Sequence, residues 1–155
     1  MIKKIFRLTD EGVAELKKEF DGLISQRAVV AERIKIAREW GDLSENNEYQ
    51  SARTEQERLE NRIAEINNIL KNVELIKKPK GAAQVQLGSS VKLKSEDGKT
   101  SKEFQVVGTV EADPLNGKIS DESPIGKALM GKKVGELVKI NTHSEAMTYK
   151  ISSIA

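Results

Sequence analysis

The feature that most constrains the fold is an uninterrupted helical pattern in the first half of the chain. No proline occurs before Pro79, and between residues 10 and 75 apolar side chains recur at spacings that alternate between three and four. This spacing is typical of a helix face that packs along a partner helix. The pattern breaks at Gly41, which divides it into one set starting at Val13 and another starting at Tyr49. Two long helices joined by a turn are therefore predicted.

The two sets pair in one antiparallel register that centres the turn on Leu43. The predicted layers are Val13 with Val73, Leu16 with Leu70, Phe20 with Ile66, Leu23 with Ile63, Arg27 with Leu59, Val30 with Gln56, Ile34 with Ala52, and Ala37 with Tyr49. A hairpin arm of about 28 residues is about 40 Å long. We predict an antiparallel coiled-coil hairpin within residues 1–78, with its tip at about residues 40–47. A coiled-coil dimer of separate helices is the alternative, which the break at Gly41 disfavours.

The second half has short apolar runs separated by turn signals. The predicted strands are residues 91–93, 104–107, 137–140 and 148–151. Asp97-Gly98 is a hairpin turn dipeptide between the first two runs. Ser123-Pro124 is typical of a capped short helix with proline at its first position. Residues 79–155 are therefore predicted to form a compact domain, and the whole chain a two-domain α+β protein.

Composition excludes several functions. The net charge is only +2, so tight binding to bare DNA or RNA is not predicted. The chain has no cysteine, which excludes disulfides, thiolate nucleophiles and cysteine-based zinc sites. His143 is the only histidine, and a Ser/His/Asp site is not supported. No stretch resembles a transmembrane span or a secretion signal, so no membrane partner and a cytoplasmic location are expected.

Two acidic residues, Asp42 and Glu45, flank the predicted turn. Mg²⁺ prefers six oxygen ligands, so two carboxylates could only complete a site whose other ligands belong to a partner. Such a shared site suits two-metal phosphoryl chemistry. The alternative is helix capping, with Ser44 or Asp42 as the cap of the second helix and Glu45 favouring its positive end. The spacing alone leaves both interpretations open.

Basic side chains lie near these acids along both predicted helices. Arg38 and Arg53 are close to the tip, and Arg33 and Lys35 lie further from it. They could hold a phosphate backbone, or they could form surface ion pairs, each contributing about 0–1 kcal/mol. Trp40 is predicted to be exposed beside the turn, which suggests contact with a partner.

The tip motif carries a resemblance to a known family. Ala-Arg-Glu-x-Gly-Asp-Leu-x-Glu-Asn-x-Glu-Tyr, at residues 37–49, resembles the tip of the bacterial Gre transcript cleavage factors. The further matches are Ala52-Arg53, Glu111-Ala112-Asp113-Pro114, Ile119-Ser120, the run from Ser123 to Lys132, and Gly135. The resemblance covers nearly the whole chain in one order, and it is closer to the GreA branch than to GreB.

This resemblance implies a transcription elongation factor that is not an enzyme alone. The hairpin would enter the secondary channel of RNA polymerase, and the polymerase would hydrolyse its own backtracked nascent RNA near the 3′ end. Asp42 and Glu45 would supply the catalytic acids and share Mg²⁺ with the polymerase active site, none being bound by the isolated protein. Tyr49, Arg38 and Arg53 would support the tip or the RNA.

The resemblance further implies an FKBP-like fold for the second domain, which would dock on the channel rim. Ser123, Pro124 and Ile125 would lie in that docking surface, and the factor is expected to act as a monomer. One alternative is a non-catalytic factor of the same fold that plugs the channel and inhibits transcription. Another is a chaperone or prolyl isomerase, although the only aromatic residues of this domain are Phe104 and Tyr149.

Overall fold

The computed structural model describes four stretches of the chain, residues 4–42, 46–77, 83–141 and 146–155. These residues divide into two compact units. One comprises residues 13–72, and the other comprises residues 4–12 together with residues 73–155. The domain boundary predicted between residues 78 and 79 lies outside the described residues. No helix in the described stretches is long and apolar enough to cross a membrane.

The first unit is built from two long helices. Helix α1 spans Asp10–Glu39 and α2 spans Asn47–Lys71. Half of the side chains that the register predicts to be in the seam are buried. They are Leu16, Val30, Ile34, Ala37, Ala52, Leu59, Ile63 and Ile66. Val30, Ile34 and Ala52 form one buried cluster, which places Ile34 with Ala52 as predicted. The antiparallel helical hairpin is therefore confirmed.

Ion pairs between the helices follow the same register. Arg27 Nε donates to Glu60 Oε1 at 2.6 Å, and Arg62 Nε donates to Glu19 Oε1 at 2.7 Å. The hydrogen bonds from Arg62 hold the pKa of the Glu19 carboxyl below its usual value. Those from Arg27 act in the same direction on the pKa of the Glu60 carboxyl. These side chains are 36–47 % exposed, so the pairs contribute little to the stability of the hairpin.

The predicted second helix is too long at its end. Helix α2 stops at Lys71, and Val73–Leu75 form strand β2, which pairs in parallel with strand β1, Phe6–Leu8. Phe6 lies opposite Val73 in this small sheet. The predicted layer of Val13 with Val73 is therefore wrong. The heptad spacing continues by chance into a segment whose backbone bonds instead to the start of the chain.

The second unit also contains a five-stranded sheet of order β5-β4-β3-β7-β6. Its strands are β3 (Ser90–Ser95), β4 (Ser101–Val107), β5 (Lys118–Ser120), β6 (Leu137–Asn141) and β7 (Ala146–Ile154). The four predicted strands are confirmed, with β3–β4 and β6–β7 antiparallel. Strand β5, which runs parallel to β4, was not predicted. The two-domain α+β fold class is thus confirmed.

The sheet packs its buried face against the short helix α3, Pro124–Leu129. Ser123 caps this helix as predicted, because its Oγ accepts a hydrogen bond from Gly126 N at 3.0 Å. The core side chains are Val85, Val91, Leu93, Val106, Ile119, Leu129, Val138, Ile140, Tyr149 and Ile151. A single core therefore fixes α3 against the sheet.

A buried carboxylate secures the start of α1 within the second unit. Thr9 caps α1 by accepting from Gly12 N at 3.1 Å, as the sequence predicts. Glu111, whose side chain is only 3 % exposed, accepts from Thr9 N at 3.0 Å and from Thr9 Oγ1 at 2.5 Å. A Cβ on Gly12 would lie 2.5 Å from the Glu111 carboxyl carbon, so any larger residue there would force the Glu111 side chain to move. Lys118 Nζ lies 3.7 Å from Glu111 Oε1.

Replacing Glu111 with alanine is expected to lower the free energy of unfolding by about 2–3 kcal/mol, because the backbone N–H and the hydroxyl of Thr9 lose their acceptor. Urea denaturation measures this loss. Glu111→Gln is the matched control, since its amide oxygen can still accept, and it should lose clearly less stability. An alanine variant as stable as the wild type would contradict this role for the carboxylate.

Candidate functional site at the hairpin tip

The candidate site lies where the two helices of the hairpin meet. Helix α1 ends at Glu39 and α2 begins at Asn47. Gly41 has a φ of 107°, in the left-handed region that favours glycine, so the chain turns there at little cost. Asp42 follows it and is exposed to solvent. Of the two predicted acids, Asp42 is placed in the turn, and Glu45 lies outside the described residues.

Helix α2 is capped by Asn46, so the capping interpretation proposed for Asp42 or Ser44 is wrong. The Asn46 Oδ1 accepts a hydrogen bond from Tyr49 N at 3.1 Å. Asparagine is as good an N-cap as serine or aspartate, and the turn offers all three residue types within five positions. Sequence reasoning therefore missed Asn46. Asp42 is therefore not the N-cap of α2.

Tyr49 stands behind the turn, half-buried against the cluster formed by Val30, Ile34 and Ala52. The Arg38 guanidinium carbon lies 5.8 Å from the centre of the Tyr49 ring. At this distance the positive charge is attracted to the ring face. The structure thus brings Arg38, at the end of α1, against Tyr49, at the start of α2.

The remaining basic residues behave differently from one another. Arg33 donates to Glu48 Oε1 from Nη2 at 3.0 Å and also bonds to Glu55, so it belongs to an ion-pair network. These hydrogen bonds raise the pKa of Arg33 above its usual value. Lys35 and Arg53 are exposed. The ion-pair interpretation thus holds for Arg33, while Arg53 presents its charge to solvent.

Trp40 lies between the end of α1 and Gly41 and is 67 % exposed, as predicted. A large aromatic side chain in this position costs solvation free energy in the isolated protein. Its exposure fits contact with a partner, which is where such residues contribute most.

The second predicted surface starts at the cap of α3 in the second unit. Ser123 Oγ donates to Ser120 O at 2.6 Å in addition to capping the helix. Pro124 is exposed, whereas Ile125 is half-buried against the core. Gly126 is buried so tightly that a Cβ would lie 1.9 Å from Ser120 O. The three predicted docking residues therefore form a rigid turn with Pro124 at its surface.

The donor chemistry at the tip fits a shared Mg²⁺ site. Asp42 offers an exposed carboxylate, the oxygen type that Mg²⁺ prefers. Within the described stretches, no three acidic or histidine side chains gather to hold a metal ion.

Comparisons with known proteins agree with this architecture. The family model described as "Transcription elongation factor, N-terminal" matches residues 6–75. The model "Transcription elongation factor, GreA/GreB, C-term" matches residues 79–155. Together they account for both halves of the chain.

Similar proteins are found along nearly the full length. Transcription elongation factor GreA of Thermoanaerobacter pseudethanolicus is 47 % identical over 149 residues, covering 95 % of each chain. GreA of Lactococcus lactis subsp. cremoris is 44 % identical and covers 99 % of each chain. The crystal structure of GreA factor homolog 1 of Thermus thermophilus is 27 % identical with a TM-score of 0.46, covering 98 % of this chain and 99 % of that one. The chain belongs to the GreA/GreB family of transcription elongation factors.

Proposed function

We propose that this protein binds RNA polymerase and stimulates the polymerase to cleave backtracked nascent RNA. The observation that carries the proposal is the exposed carboxylate of Asp42 in the turn of a long hairpin, within a chain of the GreA/GreB family. The capping of α2 by Asn46 supports it, because the cap does not require Asp42.

The hairpin is long enough to bring its tip to a deeply buried active centre. Helix α1 has 30 residues and α2 has 25, so each arm extends about 40 Å at about 1.5 Å per residue. A hairpin only two helices thick can enter a channel that excludes a globular domain. In the proposed complex the tip passes through the secondary channel to the active centre, while residues 79–155 form the domain that docks on the rim through Ser123, Pro124 and Ile125.

Each tip residue has a defined task in this proposal. Asp42 and Glu45 complete the coordination of a Mg²⁺ ion otherwise held by the polymerase, and they orient the attacking water. An ion held there by Asp42, Glu45 and the polymerase would supply a more acidic water and would stabilise the charge on the phosphate. Arg53 and Arg38 attract the RNA backbone, and Tyr49 supports the turn from behind. The protein alone has too few ligands to act as a nuclease, and it works as a monomer in the cytoplasm.

The isomerase alternative is weakened by the placement of the two aromatic residues in the second domain. Tyr149 is 1 % exposed and lies in the core beneath the sheet, and Phe104 packs against the same core. Neither side chain is placed to line an apolar peptide pocket, so this observation does not favour an isomerase.

The proposal is tested by adding the purified protein to arrested elongation complexes with Mg²⁺ and then supplying nucleotides. We expect the nascent RNA to shorten and elongation to resume. Free RNA incubated with the protein alone should stay intact, because the metal site needs the polymerase. Stalled synthesis without shortening would instead identify a channel-blocking inhibitor.

A further inference from the structure

Asn46 makes two hydrogen bonds that join the two helices on either side of the acidic turn. Its Oδ1 accepts from Tyr49 N in the first turn of α2, at 3.1 Å. Its Nδ2 donates to Ala37 O in the last turn of α1, at 2.6 Å. One side chain therefore connects the end of one helix to the beginning of the next.

Capping alone does not explain the second bond. An N-cap needs only an acceptor, which serine or aspartate would also supply. The amide group adds a donor that reaches back nine positions to Ala37 O in the last turn of α1. This carbonyl also accepts from Trp40 N at 3.2 Å, so Asn46 uses its second acceptor position. Only an asparagine-like side chain offers an acceptor and a donor at this length.

Asp42 lies in the chain between Ala37 and Asn46, the two residues that this bridge joins. The bridge therefore holds the last turn of α1, which leads to Asp42, against the start of α2. Metal-assisted chemistry requires its ligands to be held to within about 0.5 Å. A displacement of about 1 Å can reduce the rate about 100-fold.

We infer that Asn46 is a positioning residue, which joins the two helix ends so that Asp42 reaches the metal in one geometry. The inference rests on the proposed cleavage function and goes beyond it, because it assigns the precision of the tip to a residue that need not touch RNA or metal. The hydrogen bond to Ala37 O is responsible for this positioning. The capping bond to Tyr49 N is independent of it, because it uses the other atom of the amide group.

The test is Asn46→Ser, which keeps an N-cap acceptor and loses the reach to Ala37. With arrested complexes at saturating factor, the cleavage rate is expected to fall about tenfold, since the acids become less well positioned. The factor concentration that gives half the maximal rate should change less than about threefold, because the docking surface is untouched. The melting temperature should stay within about 3 °C of the wild type, because the cap remains.

Asn72→Ser is the matched control at the other end of α2. Asn72 Nδ2 donates to Asn68 O at 2.8 Å, so this variant also loses a side-chain bond to a helix carbonyl, but away from the tip. We expect wild-type cleavage from it. Asn46→Asp gives a second test, since it restores the cap with a side chain of equal size and still lacks the donor. It should also be impaired, even though its added negative charge would favour Mg²⁺.

The outcomes separate this inference from the function beneath it. If wild-type protein stimulates cleavage and Asn46→Ser matches its maximal rate, the positioning role is wrong while the function stands. A defect confined to the half-saturating concentration would also overturn the inference, because it would make Asn46 a binding residue. If the wild type itself causes no cleavage, the proposed function fails first.

Discussion

Asp42→Asn is expected to reduce factor-stimulated RNA cleavage about 100-fold or more at saturating factor. The substitution keeps the size and polarity of an exposed side chain and removes its negative charge. A preorganised charge at a reacting centre typically contributes about 100- to 1,000-fold in rate. Because Asp42 is exposed and the cap of α2 is Asn46, the folded state should be affected by less than about 0.5 kcal/mol.

Binding to the polymerase should be nearly unchanged, since the proposed docking residues lie in the other unit. The measurement compares cleavage rate with factor concentration, which separates the maximal rate from the apparent affinity. Asp21→Asn is the matched control: Asp21 is also exposed on the hairpin, but it lies about 30 Å along α1 from the tip. It should cleave like the wild type. Normal cleavage by Asp42→Asn would remove the catalytic assignment.

Gly126→Ala is expected to cost about 3 kcal/mol or more of stability in the second unit. The new Cβ would lie 1.9 Å from Ser120 O and 2.8 Å from the Ser120 carbonyl carbon, and a backbone cannot yield as a flexible side chain can. Helix α3 would have to move away from the end of β5, which disrupts both hydrogen bonds of Ser123. Overpacking of this kind typically costs 1–3 kcal/mol, and contact with backbone places it at or above the upper end.

Thermal unfolding measures this effect as a fall in melting temperature of about 12 °C or more. The control is Gly22→Ala, in which the same methyl group enters open space on α1. That variant should be slightly more stable, by about 0.5–1 kcal/mol, because alanine favours a helix over glycine. An unchanged melting temperature for Gly126→Ala would show that the turn after β5 is adaptable. The proposed docking at Ser123 to Ile125 would then lose its rigid support.

The hairpin was predictable because the apolar residues of both helices recur at regular spacings. Positions such as Ile34 and Ala52 are buried together since a heptad pattern fixes both the face and the register of each helix. The end of α2 was not predictable in the same way. Val73 satisfies the heptad spacing, but its backbone pairs with Phe6 at the other end of the pattern, and local spacing carries no sign of such a distant partner.

At the candidate site, too, features that follow from the heptad register were predictable, whereas single hydrogen bonds were not. The position of Asp42 in the turn follows from the register, whereas the choice of cap does not. Asp42, Ser44 and Asn46 have similar capping propensities, and only the structure identifies Asn46 as the cap. In the sequence, Glu111 is recognisable only as part of the motif Glu111-Ala112-Asp113-Pro114. Its burial depends on Thr9 and Gly12, which are about 100 positions away.

The most direct test of the central claim follows both ends of the RNA in an arrested complex with the cognate polymerase. With Mg²⁺ and wild-type protein, we expect a shorter 5′-labelled RNA and a released 3′ fragment, followed by renewed elongation. Neither fragment should form when the polymerase is omitted. With Asp42→Asn in place of the wild type, both fragments should form only in small amounts. An RNA of unchanged length in the complete reaction would contradict the proposal that this protein stimulates RNA cleavage.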